Sequence, residues 1–295
     1  MTAHKPASSG RIVFLNGEYV NEHDARVPFF DRGFMFGDGV YEVTARLAGR
    51  FVDFDLHRAR LRRSLAEIGL ELSIADAELL AMHERLAQMN GLADGTIYMQ
   101  VTRCAADRDF LPQPGAAAHV VAFTQRNDIV ANVGGQKGIA IRLAPDLRWR
   151  RRDIKTVGLL AQAMTKRDAK AASYDDAWFV EEGLITEGTS SSAFIVDTHG
   201  TLITRQLGPQ LLPGITRQVI LAIARDRGLA IEERAFTPDE LRAAAEAFAT
   251  SASTFVLPVI SVEGSPIGSG RPGPITSGLR AAYIERAKAR FPQFA

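Results

Sequence analysis

Apolar residues recur every second position at the start of the chain and every third or fourth soon after, which predicts strands first and helices next. Arg11–Leu15 and Glu18–Val20 flank Asn16-Gly17. That pair supplies the two positive-φ positions of a tight turn, so a hairpin is predicted. A second hairpin is read from Val40–Leu47, a turn at Ala48-Gly49, and Phe51-Val52. Leu56, Leu61, Leu65 and Ile68 share one helical face, predicting an amphipathic helix over 55–69 closed by Gly69. Another helix is predicted over 74–90, then strands over 96–103 and 118–124, rich in β-branched and aromatic residues.

Periodicity fades across Gln125–Gly135, the candidate linker. Beyond it the pattern predicts a strand at Ile139–Leu143, a helix over 157–172, and two strands within 177–198 around a Glu-Gly-Thr-Ser turn. A helix runs from Gly214 to Arg227. Thr237-Pro238-Asp239-Glu240 forms a capping box that opens the next helix. Residues 276–290 predict the last one. The expected class is α+β in two domains: a loose tail at 1–10, a small N-terminal domain at 11–128, a linker at 129–135 and a C-terminal domain at 136–295.

Composition narrows the function more than the fold. A net charge of +1 over 295 residues argues against an obligatory nucleic-acid partner. One cysteine, Cys104, rules out an intrachain disulfide and fits a reducing cytoplasm. The six histidines have no metal-ligand spacing, so no metal is expected. The first ten residues lack the apolar core of a signal peptide, and no apolar run reaches membrane-spanning length.

Four segments carry candidate chemistry. Lys155 follows Ile154 and precedes the apolar Val157–Leu160, surroundings that can desolvate an amine and make it nucleophilic. It also adjoins Arg148–Arg152, which reads as a basic surface run, and most lysines are solvated. Glu187, in Thr186–Ser192, can hold a buried nitrogen cation, although Thr-Glu-Gly alone is more often a plain turn. Leu211–Arg217 places Gly214 before an apolar helix whose first N–H groups can bind phosphate, or forms an ordinary helix entry. Thr250–Thr254 is a small-residue turn with further donors, or a plain loop.

Taken in order, these blocks resemble the class IV (fold type IV) pyridoxal-phosphate aminotransferases, and within them the D-amino-acid transaminases. The resemblance runs from Val13 to Ala287. It is carried by Asp31–Phe34, Phe36–Val43, His57–Leu61, Asp153–Lys155, Glu187–Ser191, Leu212–Arg217 and Thr250-Ser251. It implies a smaller N-terminal α/β domain and a larger C-terminal pseudo-barrel. It further implies that Lys155 forms the Schiff base and shuttles the proton, and that Glu187 pairs with the pyridine nitrogen. Arg60, with backbone N–H groups of Ile215, Thr216 and Ala252 and the neighbouring Gly214 and Ser251, would hold the phosphate. Leu212 would pack on the ring. The family position of Ala252 is often threonine, whose hydroxyl is lost here.

Tyr41 and Val43 would line the substrate pocket. Arg108 stands where the D-amino-acid transaminases carry the arginine of an Arg-x-His pair, but Phe110 replaces the histidine. A lone guanidinium still binds a carboxylate bidentately, with Arg103 or another arginine taking part, or a bulkier apolar substrate tolerated. The resemblance implies a homodimer and a D-amino acid:2-oxoacid transaminase, with D-alanine and 2-oxoglutarate as the candidate pair. A branched-chain L-amino-acid transaminase, an (R)-selective amine transaminase and an aminodeoxychorismate lyase are the alternatives.

Overall fold

Asn16 and Gly17 both have positive φ in the computed structural model, so the first hairpin closes as its turn chemistry dictates. The structure describes residues 10–113, 115 and 117–289. The expected tail therefore lies outside the described residues except for Gly10, as do the final residues of the expected C-terminal domain. The chain divides into two compact units. The first runs to Asn127 and includes Lys155–Gly158; the second holds Asp128–Ile154 and resumes at Leu159.

In the first unit, β1 (Ile12–Leu15) and β2 (Glu18–Asn21) precede a short helix, α1 (Arg32–Phe36). Then come β3 (Gly39–Leu47), β4 (Arg50–Phe51), α2 (Phe54–Glu67), α3 (Asp76–Met89), β5 (Gly95–Arg103) and β6 (Ala118–Gln125). The strands form one six-stranded sheet in the order β2-β1-β6-β5-β3-β4, antiparallel throughout. Periodicity does not predict α1. Its five residues complete little more than a turn, and it is held by the Asp31 carboxylate, which accepts from Gly33 N at 2.8 Å.

β4 pairs only with the end of β3, at Arg46 and Leu47, leaving the edge at Gly39–Val43 open. Lys155–Val157 occupies it. Tyr41 N donates to the Lys155 carbonyl at 2.9 Å and Val157 N to the Gly39 carbonyl at 3.1 Å. Edge amides that would otherwise lack partners are thereby satisfied. Residues 157–159, expected to be helical, are not, because Val157 is committed to this strand edge.

In the second unit, α4 (Val133–Lys137) and β7 (Ile139–Pro145) are followed by α5 (Leu160–Ala171), β8 (Asp176–Glu181), β9 (Leu184–Gly188) and β10 (Ser192–Val196). Next are β11 (Leu202–Thr204), α6 (Ile215–Asp226), β12 (Ile231–Glu233) and α7 (Pro238–Ala243). β13 (Glu246–Ser251), β14 (Phe255–Val262), β15 (Ser265–Pro266) and α8 (Pro274–Lys288) complete it. Where two strands were expected within 177–198 there are three, because Glu182-Gly183 makes an extra turn with both residues at positive φ. The linker expected at 129–135 carries a buried Ile129 and the start of α4, capped by Asn132.

The main path of the second sheet is β12-β11-β10-β13-β14-β7-β8-β9, with β15 paired to β14. β9 ends that path, yet a short turn joins it to β10 near the opposite end, where Gly188 N donates to the Ser191 carbonyl at 2.7 Å. The sheet must therefore curl upon itself. Its interior is packed by Ile141, Trp178, Ile185, Ile195 and Phe236, all nearly or fully buried. Across β10 and β13, Phe194 stacks on its register partner Phe248 with centroids 4.7 Å apart. Among the described residues no helix is long and apolar enough to cross a membrane.

Candidate active site

Side chains alternate along β3, so Tyr41 and Val43 share one face and Glu42 takes the other. On the first face, the Lys155 ammonium nitrogen sits 4.1 Å from the centre of the Tyr41 ring, a cation–π distance. Tyr41 stacks on Tyr98 at 5.3 Å, and Tyr98 stacks on Phe123 at 5.0 Å, a ladder of rings crossing β3, β5 and β6. Burial pushes the Tyr98 phenol up, and its hydroxyl donates to Gln100 Oε1 at 2.7 Å.

On the reverse face, Glu42 meets α2. Arg60 Nε donates to Oε1 and Arg60 NH2 to Oε2, each at 2.8 Å, while His57 Nδ1 lies 2.7 Å from Oε2. Burial alone would raise the Glu42 carboxyl. The Arg60 and His57 contacts outweigh it and hold the group far below the usual carboxylate range. One turn beyond Arg60, Ser64 Oγ stands 3.4 Å from Lys155 N, so the helix that carries Arg60 also flanks the lysine. His83 is buried as well, and burial drops its ring to about 4.

Arg108 and Phe110 are exposed, and Phe110 keeps 78% of its surface open. They gather around Phe36: the Arg108 guanidinium is 5.4 Å from the Phe36 ring centre and 5.7 Å from that of Phe110. Arg32 fixes their backbone by donating to the carbonyls of Asp109 and of Phe110, the latter at 3.1 Å. Arg103, offered as a second carboxylate ligand, is otherwise engaged. It bonds Asp38 at 3.0 Å and the carbonyls of Ile68 and Gly69 at 2.6 and 3.0 Å.

In the second unit Glu187 is buried at the end of β9. Its Oε1 accepts from Arg148 NH1, and its Oε2 from Leu212 N at 3.2 Å. Burial pushes the carboxyl up, and Arg148 and the Leu212 amide offset this only in part. Arg148 directs its other two nitrogens at Asp146, at 2.9 and 2.7 Å. Arg152 reaches Asp146 at 3.2 Å and Glu181 at 2.8 Å. The basic run is therefore not a surface feature at these two positions: the Arg148 side chain is 5% exposed and that of Arg152 2%. Spacing hides this, because the partners are distant in sequence.

Gly214 opens α6 without a side-chain cap, so the first amides of the helix, those of Ile215 and Thr216 among them, have no intrahelical acceptor. A Cβ at Gly214 would stand 2.6 Å from Ser192 Oγ, so glycine is needed for close packing. Ser251, Ala252, Ser253 and Thr254 form the tip between β13 and β14, with Ser251 Oγ 2.8 Å from Thr254 Oγ1. Ser191 Oγ and Thr250 Oγ1 are buried without a hydrogen-bond partner among the described residues, which invites an acceptor or donor from a ligand. Neither hydroxyl stands out in the sequence by itself, although both lie in segments that do.

A family described as amino-transferase class IV matches residues 39–262. The D-alanine aminotransferase of Bacillus licheniformis is 40% identical, over 92% of this chain and 95% of its own. That of Staphylococcus aureus strain MSSA476 is 36% identical, over 92% of this chain and 96% of its own. Among solved structures, the branched-chain amino acid aminotransferase of Thermobaculum terrenum in its PLP form aligns with a TM-score of 0.84 at 22% identity, covering 95% of each chain. The α+β order of elements, the curled second sheet and these matches agree: the chain belongs to the class IV aminotransferases, enzymes dependent on pyridoxal phosphate.

Proposed function

We propose that this protein transfers the amino group of a D-amino acid, D-alanine being the candidate, to a 2-oxoacid such as 2-oxoglutarate. The observation that carries the chemistry is Glu187: a buried carboxyl whose proton affinity is raised and which, among the described residues, only one arginine nitrogen and one amide engage. A cationic ring nitrogen is the partner that would restore its charge. The substrate class is supported by the D-alanine aminotransferases at 40% and 36% identity. The likeness to the branched-chain structure, at 22% identity, speaks for the fold alone.

The residues present suit pyridoxal phosphate. Uncapped amides at Ile215 and Thr216 suit a phosphate, and the unpartnered hydroxyls of Ser191 and Thr250 provide buried polar contacts. Arg60, fixed by Glu42, would add a charge-assisted donor, with Ser251 and the Ala252 amide completing the cradle. Leu212 would pack against the ring. When bound, the cofactor supplies an electron sink for the negative charge that develops on the substrate carbon. Lys155 is the nucleophile and the base that takes and returns the Cα proton. The Tyr41 ring beneath its nitrogen limits where the amine can swing. Tyr41 and Val43 face the substrate, and Arg108, flanked by Phe36 and Phe110, is the candidate for its carboxylate.

Two copies would pair through the apolar surface of α1 and the segments beside it. Phe29, Phe34, Phe110 and Leu111 are each about three-quarters exposed, more than a lone surface usually leaves open. The single cysteine supports a reducing cytoplasm as its place of work. The test is optical. Purified protein should be yellow and should bleach with D-alanine but not L-leucine. Bleaching by L-leucine alone would move the assignment to the branched-chain group, and a protein that gains no absorbance with pyridoxal phosphate would end it. Sedimentation of the same sample as a single chain would remove the pairing.

A further inference from the structure

α8 turns Thr276, Leu279, Arg280 and Tyr283 inward. Arg280 is 7% exposed, and among the described residues its hydrogen-bond partners are carbonyl oxygens only. NH1 donates to Thr254 at 2.9 Å and Val256 at 2.6 Å; NH2 donates to Ile129 at 3.1 Å and Val130 at 2.9 Å. Burial lowers its proton affinity, and among the described residues no counter-charge offsets it. A Cβ at Gly135 would stand 2.4 Å from the guanidinium, so a glycine makes room for it. A buried cation with dipoles but no anion is costly to keep.

The two carbonyls held by NH1, those of Thr254 and Val256, flank Phe255, whose φ of +59° is an outlier for a bulky residue. Such strain persists only where surrounding contacts over-determine it. Here the Phe255 ring packs on Tyr283 at 4.8 Å, so residues three apart on α8 clamp both the carbonyls and the ring. The clamped tip carries Ser251 and Ala252, and Thr250 Oγ1 beside it is buried with no hydrogen-bond partner among the described residues.

We propose that Arg280 is a positioning residue for this tip and that its uncompensated charge biases the tip toward a phosphate. The proposal rests on the phosphate reading of Ser251 and Ala252 given above. The guanidinium fixes the backbone around the strained residue. In a low-dielectric interior, its field favours a dianion at the neighbouring amides and hydroxyls. It also ties that tip to Ile129-Val130, so the segment entering the second unit and the phosphate cradle are set by one side chain.

The test compares dissociation constants of pyridoxal phosphate and of pyridoxal, which lacks the phosphate, for the full chain and for Arg280→Met and Arg280→Lys. Arg280→Met should weaken pyridoxal phosphate by about tenfold, equivalent to about 1.4 kcal/mol, and leave pyridoxal unchanged. Arg280→Lys, which keeps the charge but cannot span four carbonyls, should fall between. Equal weakening of both ligands, or of neither, in whichever variant folds would overturn the proposal and leave Arg280 a purely structural residue. A wild-type chain that holds pyridoxal as tightly as pyridoxal phosphate would instead sink the phosphate reading itself, and the proposal with it.

Discussion

Glu42 and Glu187 are both buried glutamates facing an arginine, yet their environments drive their proton affinities in opposite directions. The difference lies in how much of each arginine is available. Arg60 gives Glu42 two nitrogens and His57 adds a third contact, so the attraction exceeds the desolvation penalty. Arg148 directs two of its nitrogens at Asp146 and leaves one for Glu187, so desolvation prevails. Glu42 is thus complete as it stands, an anchor for Arg60. Glu187 is a carboxyl in want of a second cation, as a residue reserved for a ring nitrogen would be.

Breaking the complete pair should have the largest effect. Glu42→Ala removes the buried carboxylate that both Arg60 and His57 engage and should cost about 3–5 kcal/mol of stability, read by denaturant unfolding of the cofactor-free chain. A loss comparable to that of an ordinary surface substitution would show that the pair is not the anchor described. Glu187→Gln should behave differently. Without cofactor it should melt within about 1 kcal/mol of wild type or above it, because the group prefers to be neutral there. With cofactor, its half-reaction with D-alanine should slow by roughly ten- to hundredfold. Marked destabilisation of the cofactor-free variant would contradict the contrast.

The smallest effect, and the sharpest in sign, is in pH. Glu42 titrates below its ordinary 4.5 when folded, so its contribution is present above that value and fades as pH falls below it. Glu187 titrates above 4.5 when folded, so its contribution is present below that value and is lost as pH rises through the raised one. Cofactor-free wild type should therefore lose stability relative to Glu187→Gln on going up from about pH 4. A constant gap in melting temperature across that range would refute the raised affinity.

Legibility in the sequence follows the range of the interactions. Asn16-Gly17 and the Thr237–Glu240 capping box act over a few residues, and local chemistry predicts both correctly. Lys155 and Tyr41 are approached through motif order, not through periodicity, and the pairing of their segments shows only in the structure. Arg148 and Arg152 look like surface residues because a charged run reads as solvated until its partners are known, and Glu187 is 39 positions from Arg148. Arg280 raises no signal at all. Its partners at Ile129 and Val130 are about 150 residues away and are backbone carbonyls, which no side-chain pattern records. α1 escapes for the opposite reason: at five residues it is too short for any period to register.

The ladder Tyr41–Tyr98–Phe123 has a consequence for how remote changes reach the lysine. Each ring rests on the next across neighbouring strands, so none can tilt without displacing its neighbour. The stack acts as a keel: trimming it at Phe123 would let Tyr98 and then Tyr41 settle, and the amine of Lys155 would inherit the drift. A change at Phe123 can thus reach the Lys155 amine from two strands away.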